Sequence, residues 1–512
     1  MEVDYIIVQA GGKGTRMGYL TYNKPKALVP VENLPMLFHL FRKYPDKKYF
    51  IIGDYQYDVL CKYLDAFAQV NCQMIDARGR KGTCAGIADA LAHIPEGSAF
   101  MLIWSDLILP EEYRMPEKAG NYIGIAKDFP CRWRYEGKTF AEERSATQGV
   151  AGQFIFRNKR ELDGLPAEGE FVRWLKENHK QFEELPLLKT KEYGLLEEYR
   201  QLPRQKCRPF NRIEVTDAYV IKRAIDEQGK RLAVREAAWY RRVREADFKN
   251  IPRIYGTQPL KLERIRGKNI YEYELSHEQK KEILRQLTDC IRSIHRLEGC
   301  AVDMASYDEA YIGKTFSRLQ RIYDLVPFAH DREICINGKK CANIFYHRRA
   351  LEQMVRKYAP EEFRLIHGDC TFSNMMLKEG NIPILIDPRG YFGFTELYGD
   401  PAYDWVKLYY SIVGNYDRFN LKDFRLRIEE QEVFLEIESN NWEDMEEEFF
   451  SILGDEVSRE QMTILHGITW LSLTTYAWED YDSVCGAFYN GLQILSPVMR
   501  DVTGGGKHDQ VL

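Results

Sequence analysis

The sequence predicts an α/β chain in two parts, a parallel-sheet domain followed by an α+β domain of two lobes. Three observations lead there. From residue 3 to about residue 200, short apolar runs alternate with helical patterns, the signature of βαβ units. Residues 201–212 then break the alternation with two prolines and four basic side chains. Beyond them a β-rich stretch gives way to a long helical one. A chain of 512 residues is also too long for one ordinary core. The expected boundaries are 1–200, a linker at 201–212, a small lobe at 213–266, a large lobe at 267–502 and a disordered tail at 503–512.

Composition narrows the function classes. A net charge of -5 argues against a nucleic-acid partner, which needs a basic face. No apolar run reaches the roughly 20 residues of a membrane span, and no basic-plus-apolar signal segment opens the chain. Eleven scattered cysteines without a Cys-x-x-Cys pair fit reduced thiols and a cytoplasmic location better than disulfides or zinc. Small molecules and nucleotides are the expected partners, and an oligomer is open.

In the first part, strands are expected at 4–9, 48–53, 99–104, 121–126 and 149–157, with helices near 35–43, 55–68 and 83–93. Directly after the first strand comes Gly11-Gly12-Lys13-Gly14-Thr15-Arg16-Met17-Gly18, then Thr21 and Pro25-Lys26. Glycines at the carboxyl end of a strand turn tightly and offer bare N–H groups to phosphate oxygens. Arg16 and Lys26 add cations to the same segment, so the loop suits a triphosphate. It is not a Walker loop, because Lys13 is followed by Gly14 and no glycine stands five residues before Gly12. It is not a dinucleotide fingerprint either, because Met17 holds the third glycine position.

The string Gly-x-Gly-Thr-Arg, Thr, Pro-Lys resembles the signature of sugar-phosphate-type nucleotidyltransferases, a Rossmann-like fold. The resemblance implies nucleotide contacts at Gly11, Gly12, Gly14 and Thr15, with Arg16 and Lys26 as catalytic cations. It also gives a role to Asp106, which ends the apolar strand Ala99–Trp104. Taken alone an aspartate there is a turn former; in the family it is a magnesium ligand. Lys81-Gly82-Thr83-Cys84-Ala85-Gly86 is similar to the segment beside the nucleotide base, implicating Gly82 and Thr83, although Thr83 also reads as a helix cap. The family's second metal aspartate is matched by Glu192, a departure from the pattern. Thr147–Gly152 falls where the family holds its second substrate. The reaction implied is attack by a phosphomonoester oxygen on the α-phosphorus of a nucleoside triphosphate, with charge neutralisation and in-line placement as the catalytic requirements.

The second part carries Leu365-Ile366-His367-Gly368-Asp369, then Asn374, then Ile384-Leu385-Ile386-Asp387-Pro388-Arg389. Phosphoryl transfer to a hydroxyl wants a carboxylate to take the proton and oxygen ligands to hold magnesium on the nucleotide. This closely resembles the catalytic loop of the aminoglycoside phosphotransferase and choline kinase superfamily, a bilobal protein-kinase-like fold. By that likeness Asp369 is the base, and Asn374 and Asp387 are metal ligands. Lys222 on a predicted strand and Glu236 on a predicted helix would hold the α- and β-phosphates, and Glu263 and Ile265 resemble the hinge that receives adenine. Asp404 is expected to brace the loop. A protein kinase is disfavoured by Asp-Pro-Arg in place of Asp-Phe-Gly. Residues 276–298, 345–358 and most of 403–500 read as helical.

The acceptor is open. Trp405, Trp470 and Trp478 suit either a cation–π cage for a quaternary ammonium such as choline or the packing of a helical core. Arg389 suits either a polar substrate or a neighbouring carboxylate. Together the two parts imply a bifunctional enzyme using ATP, CTP or another nucleoside triphosphate, and Mg2+ at both sites. Its expected product is an activated group, such as CDP-choline, for surface polysaccharide. An enzyme making a nucleotide sugar is the alternative, and a nucleotide-binding regulator with one inactive domain is a rival of another class.

Overall fold

The computed structural model describes residues 2–202, 211–225 and 227–503. The expected linker falls largely, and the expected tail almost wholly, outside the described residues. The chain divides into two compact units, Met1–Gln205 with Trp478–Asp482, and Lys206–Ala477 with Ser483–Leu512. The short piece Trp478–Asp482 thus joins the first unit, which the linear boundaries did not anticipate.

The first unit is built on a nine-stranded sheet. Its parallel half runs Cys72–Asp76, Lys48–Gly53, Val3–Gln9 and Ala99–Trp104. The last three are largely apolar runs because both faces are covered, and Ile6, Ile7 and Val8 are wholly buried, while Cys72–Asp76 at the edge is mostly half-buried. The expectation of a parallel sheet holds only this far. Gly149–Phe156 runs antiparallel to Ala99–Trp104 and to Tyr122–Ala126, so the sheet is mixed. The Arg134–Glu136/Thr139–Ala141 hairpin extends it there, and Glu183–Leu187 pairs with Tyr122–Ala126. Antiparallel partners need no crossover helix, which is why no helical pattern separates Tyr122–Ala126 from Gly149–Phe156.

Helices Met36–Lys43 and Tyr57–Phe67 stand at the expected places. The expected helix at 83–93 starts only at Ile87, after Gly86 takes a left-handed φ of 78°. Thr83 caps a different helix: its Oγ1 accepts from the N–H of Phe171, the first residue of Phe171–Glu177, at 2.9 Å.

The second unit opens with a four-stranded sheet ordered Asn211–Val215, Tyr219–Ala224, Leu260–Glu263, Ile254–Thr257. The helix Glu227–Glu245 buries Trp239 and Tyr240, and Trp239 Nε1 donates to Ile366 O at 2.7 Å. The remainder is mainly helical, with His277–His295, Pro401–Ile412 and Arg459–Leu473 as long elements. Within the 403–500 stretch the helical reading missed a hairpin, Phe424–Ile428 with Val433–Ile437. No helix among the described residues is long and apolar enough to cross a membrane.

Candidate active sites

In the first unit the glycine loop leaves the Val3–Gln9 strand and closes on itself. Tyr55 N–H donates to Gly11 O, Lys26 N–H to Gly12 O, and Met17 N–H to Gly14 O. Gly14 has a φ of 63°, and a Cβ there would stand 3.0 Å from Lys26 Cβ. Nothing lies within 4 Å of where a Gly12 Cβ would be, so that backbone faces open space. Thr15 begins Thr15–Thr21, two short 3-10 turns joined across a kink at Gly18, whose φ is 56°.

Arg16, Lys26, Asp106 and Glu192 converge beneath this loop. Lys26 Nζ lies 2.5 Å from Asp106 Oδ2. A methyl added at Gly194 would stand 3.2 Å from Glu192 Oε1, 3.3 Å from Arg16 Nη2 and 3.6 Å from Lys26 Nζ. Glu192 reaches this place because Lys191–Glu192 pairs antiparallel with Leu107–Ile108, directly after Asp106. Burial, then the Asp106 carboxylate, push the Glu192 carboxyl up to about 7, against the pull of Lys26 and Arg16. Asp106 Oδ1 is buried without a hydrogen-bond partner. An orphaned carboxylate oxygen beside a second carboxylate is what a divalent cation satisfies, so the residues fit Mg2+.

Gly82 and Thr83 lie at the carboxyl end of the Val3–Gln9 strand. Gln9 Nε2 donates to Thr83 O at 2.7 Å, and Gly169 N–H donates to Lys81 O at 2.8 Å. Gly82 has a φ of 84°, and a Cβ there would meet Gly169 O at 2.3 Å. Across the strand ends, the Trp104 ring lies against the bare backbone of Gly152. Gln9 and Trp104 were not singled out from sequence, yet both are terminal residues of strands whose carboxyl ends face the loop, the position that marks a ligand crevice.

In the second unit Lys222 Nζ lies 2.7 Å from Glu236 Oε1 and 2.6 Å from Asp387 Oδ1. Burial raises the Glu236 carboxyl, and Lys222 opposes that shift. Asp387 has a left-handed φ of 56°. Asn374 Nδ2 donates to Asp369 Oδ2 at 2.8 Å and to Asp369 O at 3.0 Å, and Ile386 N–H donates to Asn374 O. The Asn374 amide nitrogen is thereby committed, which turns its oxygen to the role of acceptor or ligand. Among the described residues no three His, Cys, Asp or Glu side chains gather as a metal cage. Magnesium commonly takes one or two carboxylates and completes its shell with phosphates and water, so pairs suffice.

Asp369 and Lys407 are joined at 3.0 Å. Burial alone would raise the Asp369 carboxyl; Lys407 and Arg389 outweigh it and hold it below the usual range. The loop is anchored by the buried Asp404, which accepts from His367 N–H at 2.9 Å and Gly368 N–H at 2.6 Å, with His295 Nε2 at 3.1 Å. Lys407, one helical turn after Tyr403, carried no sequence signal beyond being a lysine.

At the hinge, Glu263 N–H donates to Arg253 O and Arg264 N–H to Ala218 O, so both amides serve the sheet. Ile265 follows, buried, in the connection to the Gly267–Asn269 strand. Among the described residues Arg389 forms no ion pair, although its charge acts on Asp369; it donates to the hydroxyls of Tyr403 at 2.8 Å and Tyr391 at 3.0 Å. The three tryptophans do not form a cage. Trp470, 0% exposed, packs edge-on against Tyr410 and Phe419. Trp405, 1% exposed, packs against His295. Trp478 belongs to the first unit, against Phe38 and Phe67. Their apolar area goes to packing, the use most buried aromatics have.

Comparison with known proteins fits this division. Residues 6–114 match the MobA-like NTP transferase domain family, and residues 208–445 match the phosphotransferase enzyme family. The UTP–glucose-1-phosphate uridylyltransferase AglF of Haloferax volcanii is 33% identical over 106 residues, 20% of this chain and 43% of that protein. The chain thus spans less than half the length of this relative. Among solved structures, HddC from Yersinia pseudotuberculosis is 16% identical, with 38% of this chain and 96% of that one covered and a TM-score of 0.33. The CTP:phosphocholine cytidylyltransferase LicC of Streptococcus pneumoniae is 20% identical, with 39% and 97% covered and a TM-score of 0.32.

Proposed function

We propose, for a chain that joins a nucleotidyltransferase domain to a phosphotransferase domain, that the two perform consecutive steps on one small molecule. The second domain phosphorylates a hydroxyl with ATP. The first transfers a nucleotidyl group from a nucleoside triphosphate onto the new phosphomonoester and releases pyrophosphate. The product is an activated precursor of the kind consumed in surface-polymer synthesis.

The observation that carries this reading is the convergence of Arg16, Lys26, Asp106 and Glu192, beside a separate set of Lys222, Glu236, Asp369, Asn374 and Asp387 in the same chain. In the first set, Arg16 and Lys26 neutralise and align the triphosphate while the glycine loop supplies N–H donors. In the second, Lys222, steadied by Glu236, holds the α- and β-phosphates, and Asp369 takes the acceptor's proton. Asp106 with Glu192, and Asn374 with Asp387, are the residues that would hold Mg2+, which supplies charge neutralisation on the phosphates. CTP is the first nucleotide to test. UTP is the second, because 33% identity to a uridylyltransferase over 106 residues favours a nucleotide-sugar product. With Trp405 and Trp470 in the core, nothing in the site ties the acceptor to choline.

The test is mass spectrometry of products from the full chain with Mg2+, ATP and each of CTP, UTP and GTP, across choline, polyols, sugars and their acidic derivatives. Asp369→Asn is expected to abolish ADP formation while leaving transfer onto a supplied phosphomonoester. Loss of both activities, or of neither, overturns the two-site reading.

A further inference from the structure

The phosphotransferase unit gathers cations beside Asp369 that phosphoryl transfer by itself does not require. Two tyrosines organise them. The Tyr403 ring has Lys314 Nζ 5.6 Å and Lys407 Nζ 5.8 Å from its centroid, and its hydroxyl accepts from Arg389 at 2.8 Å. The Tyr391 hydroxyl accepts from the other Arg389 nitrogen at 3.0 Å, and its ring carries the guanidinium groups of Arg389 at 4.8 Å and Arg235 at 4.4 Å. Arg318 donates to Ser472 O. Lys407 alone of the inner group has a carboxylate, Asp369 at 3.0 Å. Among the described residues, Lys314, Arg318 and Arg389 form no ion pair with any carboxylate; Arg235 is 3.7 Å from Glu396 at the edge.

Half-buried like charges repel, and proteins pair or disperse them unless a ligand of opposite sign completes the group. We propose that this cluster is the acceptor-recognition site of the phosphotransferase, and that the acceptor is a hydroxyl compound carrying an anionic group, carboxylate or phosphate, held by Lys314, Arg318 and Arg389. The proposal rests on the phosphotransferase reading of Asp369 and names the substrate class of that site. Burial, then Arg389, Arg318 and Lys407, push the Lys314 ammonium well below the usual lysine range, and Arg389 chiefly pulls the Tyr391 phenol down. The charge part of both shifts comes from neighbouring cations, opposed at Lys314 by Glu309, and an anion relieves it. A quaternary ammonium placed there meets an excess of like charge.

The step balances within the site. The acceptor's hydroxyl oxygen bonds to the γ-phosphorus of ATP, the bond from that phosphorus to the β,γ-bridging oxygen breaks, and ADP leaves with its electron pair. The hydroxyl proton passes to the Asp369 carboxylate. Lys314, Arg318 and Arg389 act on the far end of the acceptor and fix which hydroxyl faces Asp369.

The test uses the full chain with Mg2+ and ATP, reading ADP formation with D-glycerate, glycerol 3-phosphate, glycerol and choline. Turnover of an anionic acceptor with kcat/KM at least about 100-fold above glycerol is expected, the scale that one or two charge-assisted hydrogen bonds supply. The glycerate and glycerol phosphate arms tell carboxylate from phosphate. Lys314→Met is expected to raise KM for that acceptor more than it lowers kcat, with rescue by Lys314→Arg. Preferred turnover of choline or glycerol overturns the proposal. Thermal unfolding reads the site independently of chemistry. Sodium sulfate, against sodium chloride at equal ionic strength, is expected to raise the unfolding temperature of the wild type and of Asp369→Asn, but much less that of Lys314→Met/Arg318→Met. Equal shifts in all three overturn the anion site. A sulfate shift lost only in the double variant, with no ADP formed from any acceptor, upholds the anion site and overturns the phosphotransferase reading instead.

Discussion

Lys26 and Asp106 are bonded to each other at 2.5 Å. The second unit repeats the arrangement with Lys222 and Asp387 at 2.6 Å. In each, the lysine proposed to bind phosphate is satisfied by the aspartate proposed to bind metal, so ligand binding exchanges one partner for another and leaves no buried charge alone.

Lys26→Ala removes the cation that offsets two adjoining carboxylates. Nucleotidyl transfer, followed as pyrophosphate release, is expected to fall by about 10²–10³-fold, the usual cost of one preorganised charge donor. ADP formation by the other unit is expected to stay unchanged. Equal loss of both activities would mean that the substitution unfolds the chain.

Gly152 is where the first unit has least tolerance. Its φ is 90°, and a Cβ would stand 1.7 Å from a carbon of the Trp104 ring. Gly152→Ala must displace the indole or bend the strand, and a destabilisation of about 1–3 kcal/mol is expected from overpacking of this kind. Denaturant unfolding measures it. The substitution is also expected to raise KM for the phosphomonoester, since the displaced ring moves into the crevice at the strand ends.

What was legible in the sequence follows from range. The glycine loop, the Lys222 strand and the His367–Asp369 loop are local strings, and their residues lie where a strand's alternation or a turn's geometry puts them. Glu192 was found by resemblance alone; what brings it to Asp106 is the pairing of Lys191–Glu192 with Leu107–Ile108, a partner far away in sequence. The cation cluster was invisible for the same reason. Lys314, Arg389 and Lys407 come from three separate segments and meet only around Tyr403. The mixed sheet was missed because an apolar run buried on both faces reads alike in either strand direction. Sequence left the tryptophans between cage and core because the two have the same composition.

Trp470 gives that last distinction an experimental form. It is 0% exposed, and its Nε1 donates to His466 Nε2 at 3.0 Å. Trp470→Ala is expected to cost about 3–5 kcal/mol as a core cavity. Trp470→Phe, which keeps much of the ring, is expected to recover part of that stability with acceptor KM unchanged. A KM increase at full stability would return the side chain to the acceptor site.

Asp400 sets a pH dependence on the second unit. It caps the Pro401–Ile412 helix, accepting from Ala402 N–H, and it also accepts from the Tyr311 hydroxyl. Burial nevertheless pushes its carboxyl from 3.8 up to about 6. The native state therefore binds the proton more tightly than the unfolded chain does, and ionisation works against folding. The contribution is fully present below pH 3.8 and is lost as pH rises through about 6. Two pKa units correspond to about 3 kcal/mol. Asp400→Asn keeps an oxygen for both donors but does not ionise, so its unfolding temperature is expected to fall less than that of the wild type between about pH 4 and pH 7.5. Parallel curves for the two proteins would place the ionisation of Asp400 in the ordinary carboxylate range and leave the cap as its whole contribution.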